Sequence, residues 1–149
     1  MGGGSRILGV LARGTDYNAR PASHPIQPNA EMIIKDAKII MKEKNLSKIF
    51  LATEDSEIYT KFKEQFGRQL VTVECPRYTG TERITQRRNN RKNDKYIQGL
   101  DYITSIYILA RCECLLAGDT NGSIGAGVIN GGRYEYVKIY SLGYYPSAQ

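Results

Sequence analysis

The chain has 149 residues, enough for one domain that buries roughly two-thirds of the surface its unfolded chain exposes. Its composition, 41% hydrophobic and 24% charged, is that of a globular protein and excludes a disordered or fibrous one. No apolar run approaches the ~20 residues that cross a bilayer, and the N-terminus lacks the basic and apolar regions of a signal peptide. We expect no membrane span, a flexible leader or cloning remnant at residues 1–5, and one domain over residues 6–149.

The net charge of +6 is concentrated in one segment, since residues 77–95 carry seven basic side chains against two acidic ones. Such a cluster indicates either a solvated loop or an anionic partner that binds near one place. Nucleic acid is the weaker choice of partner, because few aromatic side chains are interleaved there to stack on bases.

The cysteines and the single histidine exclude several kinds of site. Cys75, Cys112 and Cys114 do not form a disulfide framework, and "CEC" lacks the two-residue spacer of a metal knuckle or redox pair. Reduced cysteines indicate a reducing compartment, which we expect to be the cytoplasm. With His24 as the one histidine, the sequence argues against a histidine-based triad or a histidine-rich metal site.

Strands and helices alternate along the first half of the chain. Residues 6–12 form an apolar strand, and after a proline-rich loop Asn29 caps a helix that continues to about Lys44. A second apolar strand covers residues 48–53, and a helix with an acidic first turn follows in "EDSEIYTKFKEQFG". "QLVTVEC" is the third strand.

The second half continues this alternation after the basic segment. "YIQGLDYITSIYILARCE" is a helix on which Leu100, Ile103 and Tyr107 make an apolar stripe. "CLLAG" is the fourth strand and "NGSIGAGVING" a short glycine-rich helix. "YEYVKIY" is a last, tyrosine-rich strand that we place at an edge of the sheet.

This order predicts an α/β fold of the Rossmann-like, doubly wound class. Near-continuous apolar strands separated by helices form a mainly parallel sheet, here of about five strands, with helices on both faces. Ligands of such sheets bind outside the carboxyl ends of the strands, near the switch point between the first and fourth strands. Polar clusters follow the first, second and fourth strands, so all three belong to that edge.

The cluster after the first strand is "ARGTDY". Arg13 offers a planar fork that binds phosphate through two hydrogen bonds, and Thr15 adds a hydroxyl. Asp16 either holds the arginine or meets a ligand hydroxyl. The alternative is an ordinary surface loop, in which Gly14 and Asp16 only shape the turn.

The cluster after the fourth strand is "LAGDTNGSIGAG". Residues 120–123 lie at the start of the following helix, where free N–H groups and the helix dipole favour a phosphate. The alternative is close packing of helix on sheet through small residues. The pattern is neither a Walker loop nor the dinucleotide fingerprint, which follows the first strand.

The cluster after the second strand is "ATEDSE". Either Glu54 or Asp55 binds a ribose or sugar hydroxyl, as acids at this position of a sheet often do. The alternative is that both acids only stabilise the start of the helix.

Together these motifs resemble the donor-binding half of fucosyltransferase-like glycosyltransferases, which include α1,6- and protein-O-fucosyltransferases and many bacterial polysaccharide relatives. "GVLARGTDY" is similar to the first motif of that superfamily, and "KIFLATEDSEIYTKF" resembles its second strand and helix. "SIYILARCECLLAGDTNGSIGA" resembles its third motif. The resemblance extends from Arg6 to about Gly143.

The resemblance implies the C-terminal domain of a GT-B enzyme that binds a nucleotide-sugar, most often GDP-fucose, without a metal or other cofactor, and transfers the sugar with inversion. Arg13 matches the arginine that holds the β-phosphate and stabilises the leaving diphosphate, and Asp55 matches the second-motif acid. The expected site comprises the catalytic Arg13 and the donor-binding residues Gly14, Thr15, Asp16, Thr53, Asp55, Thr120, Asn121, Gly122 and Ser123.

Two departures leave the base of the nucleotide open. Leu11 stands where many members have a histidine that contacts the nucleotide, and Gly14 replaces a second arginine. The glycan acceptor would be bound by a domain that precedes this one, so we expect an excised donor domain that is inactive alone. The alternatives are a non-catalytic nucleotide- or phosphate-binding module and, less favoured, a basic nucleic-acid-binding domain.

Overall fold

The computed structural model describes residues 4–13, 26–73 and 94–143. The expectations for Gly14, Thr15, Asp16, His24 and Cys75 lie outside the described residues, as does most of the basic segment.

Five strands and four α-helices alternate along the described residues. The strands are β1 (Ile7–Leu11), β2 (Lys48–Ala52), β3 (Leu70–Val71), β4 (Cys114–Gly118) and β5 (Tyr136–Tyr140). The helices are α1 (Ala30–Glu43), α2 (Ser56–Phe66), α3 (Asp94–Ala110) and α4 (Asn121–Asn130), with a 3₁₀ turn at Gly67–Gln69. All pairings are parallel, in the order β3-β2-β1-β4-β5, so the predicted doubly wound α/β sheet is confirmed, with β5 at one edge.

Each face of the sheet carries its own apolar core. On one face α1 and α2 pack against alternate strand residues, in a cluster that includes Leu8, Val10, Ile33, Ile49, Leu51, Phe62 and Leu116. On the other face α3 and α4 cover Leu11, Phe50, Ile106, Leu109, Leu115 and Ala126. The central strands are therefore buried on both sides, which explains their nearly continuous apolar sequence.

Helix α3 lies close to β1 because residue 9 is glycine. A β-carbon at Gly9 would come within 3.1 Å of Leu109 Cδ2 and 3.2 Å of Cys112 Sγ. Because α3 packs over Gly9 at this point, Leu109 lies on the buried face of the helix. The stripe expected from helical spacing faces solvent instead, with roughly half of each side chain exposed at Leu100, Ile103 and Tyr107.

Two elements are shorter than the sequence predicts. Helix α3 ends at Ala110 because Arg111 and Cys112 donate from their N–H groups to the carbonyls of Ile108 and Leu109, three residues back, which tightens the last turn. Within the described residues strand β3 covers Leu70 and Val71 and pairs with β2, because the 3₁₀ turn occupies its predicted start. Its predicted end at residues 74–75 lies outside the described part of the chain.

No helix in the described part of the chain is both long and apolar enough to span a bilayer.

Candidate anion site at the carboxyl ends of the strands

The motifs after β1 and β4 meet at the switch point of the sheet. Leu11 pairs in register with Ala52 on one side and Ala117 on the other, so the three strands end at the same level. A β-carbon placed on Gly122, in the first turn of α4, would lie 3.0 Å from Leu11 Cδ2. The end of β1 therefore touches the start of α4, as the sequence predicts.

Arg13 is paired with Glu54 across the ends of β1 and β2. Its Nε lies 3.3 Å from Glu54 Oε2, and the two side chains are only 16% and 10% exposed. The N–H of Ala12 donates to the carbonyl of Ala52, which extends the strand pairing toward the ion pair. The motif does not predict this ion pair, since it offers Glu54 either a ribose or sugar hydroxyl, as an alternative to Asp55, or a role in stabilising the helix start. The register of β1 against β2 is what indicates this contact, because Arg13 and Glu54 each lie two residues beyond the paired Leu11 and Ala52.

The neighbouring acid, Asp55, caps helix α2. Its Oδ1 accepts from the N–H groups of Glu57 and Ile58 at 2.8 and 3.1 Å. Thr53 supports the turn, since its Oγ1 accepts from the N–H of Asp55 at 3.2 Å. The two adjacent acids thus have different partners, and the structure shows the capping alternative for Asp55 but an ion pair for Glu54.

Thr120 and Ser123 form a capping box at the start of α4. Thr120 Oγ1 accepts from the N–H of Ser123 at 3.2 Å, and Ser123 Oγ accepts from the N–H of Thr120 at 3.1 Å. Ser123 Oγ also donates to the Thr120 carbonyl at 2.8 Å. Both hydroxyls are buried in these contacts. The turn can offer an anion the backbone of the exposed Asn121 and the positive end of the helix dipole, while Gly122 is buried.

Gly122 allows the first turn of α4 to pack closely. A β-carbon there would come within 2.8 Å of Tyr102 Oη and 3.1 Å of Ile106 Cδ1, in addition to its contact with Leu11. The structure therefore shows the close packing of helix on sheet that was the alternative for this motif. Tyr102, on α3, places its hydroxyl beside the predicted phosphate turn. The sequence motifs do not predict Tyr102 as a residue of this site.

Gln27 lies over the last residue of β4. A β-carbon on Gly118 would overlap Gln27 Oε1, and Gln27 Nε2 donates to the Asp119 carbonyl at 3.4 Å. The segment is held in place because the N–H of Ile26 donates to the carbonyl of Gly143 at 2.8 Å. The sequence does not predict this position of Gln27, since nothing in a proline-rich loop indicates which side chain folds back over the sheet.

Among the described residues, no three or more His, Cys, Asp or Glu side chains are grouped so that they could hold a metal ion. Both described cysteines, Cys112 and Cys114, are free and buried. Burial raises the pKa of the Cys112 thiol to about 12, so this thiol stays protonated near neutral pH. It precedes β4 and therefore lies toward the end of the sheet opposite the anion site.

Solved structures contain the same arrangement of strands and helices. The NodZ α-1,6-fucosyltransferase soaked with GDP-fucose matches with a TM-score of 0.50 and 18% identity, over 86% of this chain and 37% of that one. NodZ co-crystallised with GDP matches with a TM-score of 0.50 and 20% identity, over 85% and 36%. POFUT1 in complex with GDP matches with a TM-score of 0.57 and 10% identity, over 93% and 44%.

The fold resembles that of a segment of these fucosyltransferases. At 10–20% identity the likeness concerns the fold alone, and it confirms the fucosyltransferase-like fold that the resemblance predicts. The chain spans 36–44% of the length of these neighbours. The sequence matches no protein-family profile, and a comparison with curated proteins finds no relative.

Proposed function

We propose that this chain binds a nucleotide-sugar of the GDP-fucose type, as the donor-binding part of a glycosyltransferase. The observation that carries the proposal is the position of Arg13. Its guanidinium is mostly buried, lies two residues beyond β1 at the switch point, and is held by Glu54. A cation fixed at this place suits the diphosphate of a nucleotide-sugar.

The chemistry of the transfer gives Arg13 its catalytic role. When the bond between sugar and diphosphate breaks, negative charge grows on the leaving oxygen, and a fixed guanidinium stabilises that charge more than it stabilises the bound donor. In this proposal Arg13 and the start of α4 carry this role, so no metal or other cofactor takes part. The acceptor attacks from the opposite side of the anomeric carbon and inverts it.

The remaining residues of the proposed site surround the donor. The backbone at Asn121 and Gly122 faces a phosphate, and Thr120 and Ser123 hold that turn in shape through the capping box. Thr53 and Asp55 border the site at the end of β2. Gly14, Thr15 and Asp16, which directly follow Arg13, complete the donor-binding set.

The neighbours in fold indicate which ligands to try first. The NodZ structures were obtained with GDP-fucose and with GDP, and the POFUT1 structure is a complex with GDP. Because this chain spans less than half of each neighbour, we propose that the acceptor contacts come from protein outside it and that the chain alone does not turn over.

Calorimetric titration of the chain with GDP-fucose, GDP and UDP tests the proposal. We expect saturable binding of the GDP compounds. If a folded sample binds no nucleotide at millimolar concentration, the proposal is wrong. A single-stranded oligonucleotide is titrated in parallel, and oligonucleotide binding that falls steeply with salt, without nucleotide binding, would support the nucleic-acid alternative instead. Sugar transfer by a longer protein that includes this chain separates an enzyme from a non-catalytic nucleotide-binding module.

A further inference from the structure

We propose that Glu54 is a positioning residue for Arg13, and that the pair makes the site selective for nucleoside diphosphates over monophosphates. This inference rests on the proposed function, because it assigns Arg13 to the second phosphate of the ligand.

The position of Glu54 follows from the register of the sheet. Leu11 and Ala52 are partners in the parallel ladder, and Arg13 and Glu54 each follow two residues later. Both side chains are nearly buried, at 16% and 10% exposed. The pair is therefore placed by two neighbouring strands and is largely shielded from solvent.

The contact restricts the arginine side chain at its guanidinium. An isolated arginine samples many rotamers, and ordering it when a ligand binds costs free energy. Here Glu54 Oε2 lies 3.3 Å from Nε, the nitrogen that joins the guanidinium to the rest of the side chain. This ion pair between two mostly buried side chains limits where the guanidinium can lie before the ligand arrives. Binding through two hydrogen bonds to phosphate depends on that placement.

Glu54 acts on anion binding in two opposite ways. Its carboxylate repels a phosphate that reaches Arg13, which weakens binding. Its ion pair with Arg13 keeps the guanidinium near the ends of β1 and β2, which strengthens binding. A residue that only balanced the charge of Arg13 would show the first effect alone. The sign of the change when the carboxylate is neutralised therefore separates the two roles.

Comparing the affinities for GDP and GMP tests the role of the second phosphate. A monophosphate such as GMP reaches the turn at the start of α4 but lacks the phosphate assigned to Arg13. Loss of the positioning contact should weaken GDP binding and spare GMP binding. Damage to the fold would weaken both nucleotides equally.

The experiment compares dissociation constants for GDP and GMP in the wild type, Glu54→Gln, Glu54→Asp and Glu57→Gln. We expect GDP to bind about tenfold more weakly to Glu54→Gln and GMP to change less than about twofold, because a charge-assisted contact is lost. Glu54→Asp keeps the charge but is too short to reach Nε, so it should show the same selective loss. Glu57→Gln removes an exposed acid from the first turn of α2 and should change neither constant.

Each outcome decides the inference. Unchanged or tighter GDP binding in Glu54→Gln overturns it, as does an equal loss for both nucleotides. If Glu54→Gln does not fold, Glu54→Asp decides by the same criterion. If the wild type binds neither nucleotide, the proposed function fails together with this inference. If Arg13→Ala weakens GDP binding and the Glu54 variants do not, the proposed function stands and only the positioning role is wrong.

Discussion

Asp55 caps a helix in the structure and is also proposed to bind the donor. Its Oδ1 accepts the N–H groups of Glu57 and Ile58, which satisfies two donors at the start of α2. It is also the acid that the fucosyltransferase resemblance assigns to donor binding. The capping contact is visible in the structure, and the donor-binding role is a proposal. Substitutions that keep the cap and remove the charge distinguish the two roles.

We expect Asp55→Ala to lower the free energy of unfolding by about 0.5–2 kcal/mol, the usual cost of losing an N-cap. Asp55→Asn should leave stability nearly unchanged, because asparagine caps as well as aspartate. Urea unfolding followed by circular dichroism measures both. If Asp55→Ala has the same free energy of unfolding as the wild type, the Asp55 cap does not stabilise α2. A loss of GDP-fucose affinity in the asparagine variant, at unchanged stability, is the result expected of a donor-binding carboxylate.

At the scale of elements, the site depends on how closely α4 packs against α3 and β1. Gly122 faces Tyr102, Leu11 and Ile106 at distances that leave no room for a β-carbon. Gly127 lies in the same helix with no atom within 4 Å of where its β-carbon would be. The two glycines form a matched pair for testing the packing.

We expect Gly122→Ala to lower the free energy of unfolding by about 1–3 kcal/mol, because the ends of the Tyr102, Leu11 and Ile106 side chains must shift to admit a β-carbon. Gly127→Ala should stabilise the protein by about 0.4–1 kcal/mol, since alanine favours the helix and its β-carbon would contact no other atom within 4 Å. Thermal unfolding of the two variants gives both values. Equal effects at the two positions would show that α4 does not rest on β1 as described.

A polar contact joins α1 to the edge strand β5. Asp36 Oδ2 accepts from Tyr140 Oη at 2.6 Å and from Lys138 Nζ at 3.0 Å. The Tyr140 hydroxyl, followed by Lys138, lowers the pKa of Asp36, although desolvation opposes the shift. Burial and the Asp36 bond raise the pKa of Tyr140, which therefore stays protonated and donates.

The lowered pKa of Asp36 links this contact to pH. The contact's contribution to stability is fully present above the unfolded pKa of about 4 and is lost as the pH falls through the lower folded pKa. We expect the wild type to lose more stability than Asp36→Asn between neutral pH and about pH 3. Urea unfolding of both proteins across this range measures the difference. Parallel pH profiles would contradict the lowered pKa.

For the molecule as a whole, the sequence is sufficient to predict the architecture and the edge that carries the site. Alternating apolar strands and helices, together with right-handed crossovers, leave few topologies open, and β1 and β4 then flank the switch point. The polar clusters after β1, β2 and β4 lie at the carboxyl edge for the same reason. These are consequences of backbone connectivity, which the hydrophobic pattern encodes well.

Side-chain partners depend on tertiary packing, and the sequence does not predict them as well. Helix α3 is apolar on several sides, so spacing alone does not reveal that Leu109 is buried and Ile103 exposed. The packing of α3 over Gly9 determines which face of the helix is buried. The ion pair of Arg13 with Glu54 requires the strand register, and the placement of Gln27 over Gly118 requires the path of a loop.

The most direct test of the account is the affinity for GDP of the wild type and of Arg13→Ala, measured by calorimetry. Arg6→Ala is the matched control, because Arg6 also carries a positive charge but pairs with Glu135 at the opposite end of β1. We predict that Arg13→Ala binds GDP about 10²-fold more weakly, as expected for a lost charge-assisted contact of ~2–3 kcal/mol. Arg6→Ala should bind as the wild type does. Equal GDP affinities in the wild type and Arg13→Ala would contradict the claim that Arg13 holds the diphosphate.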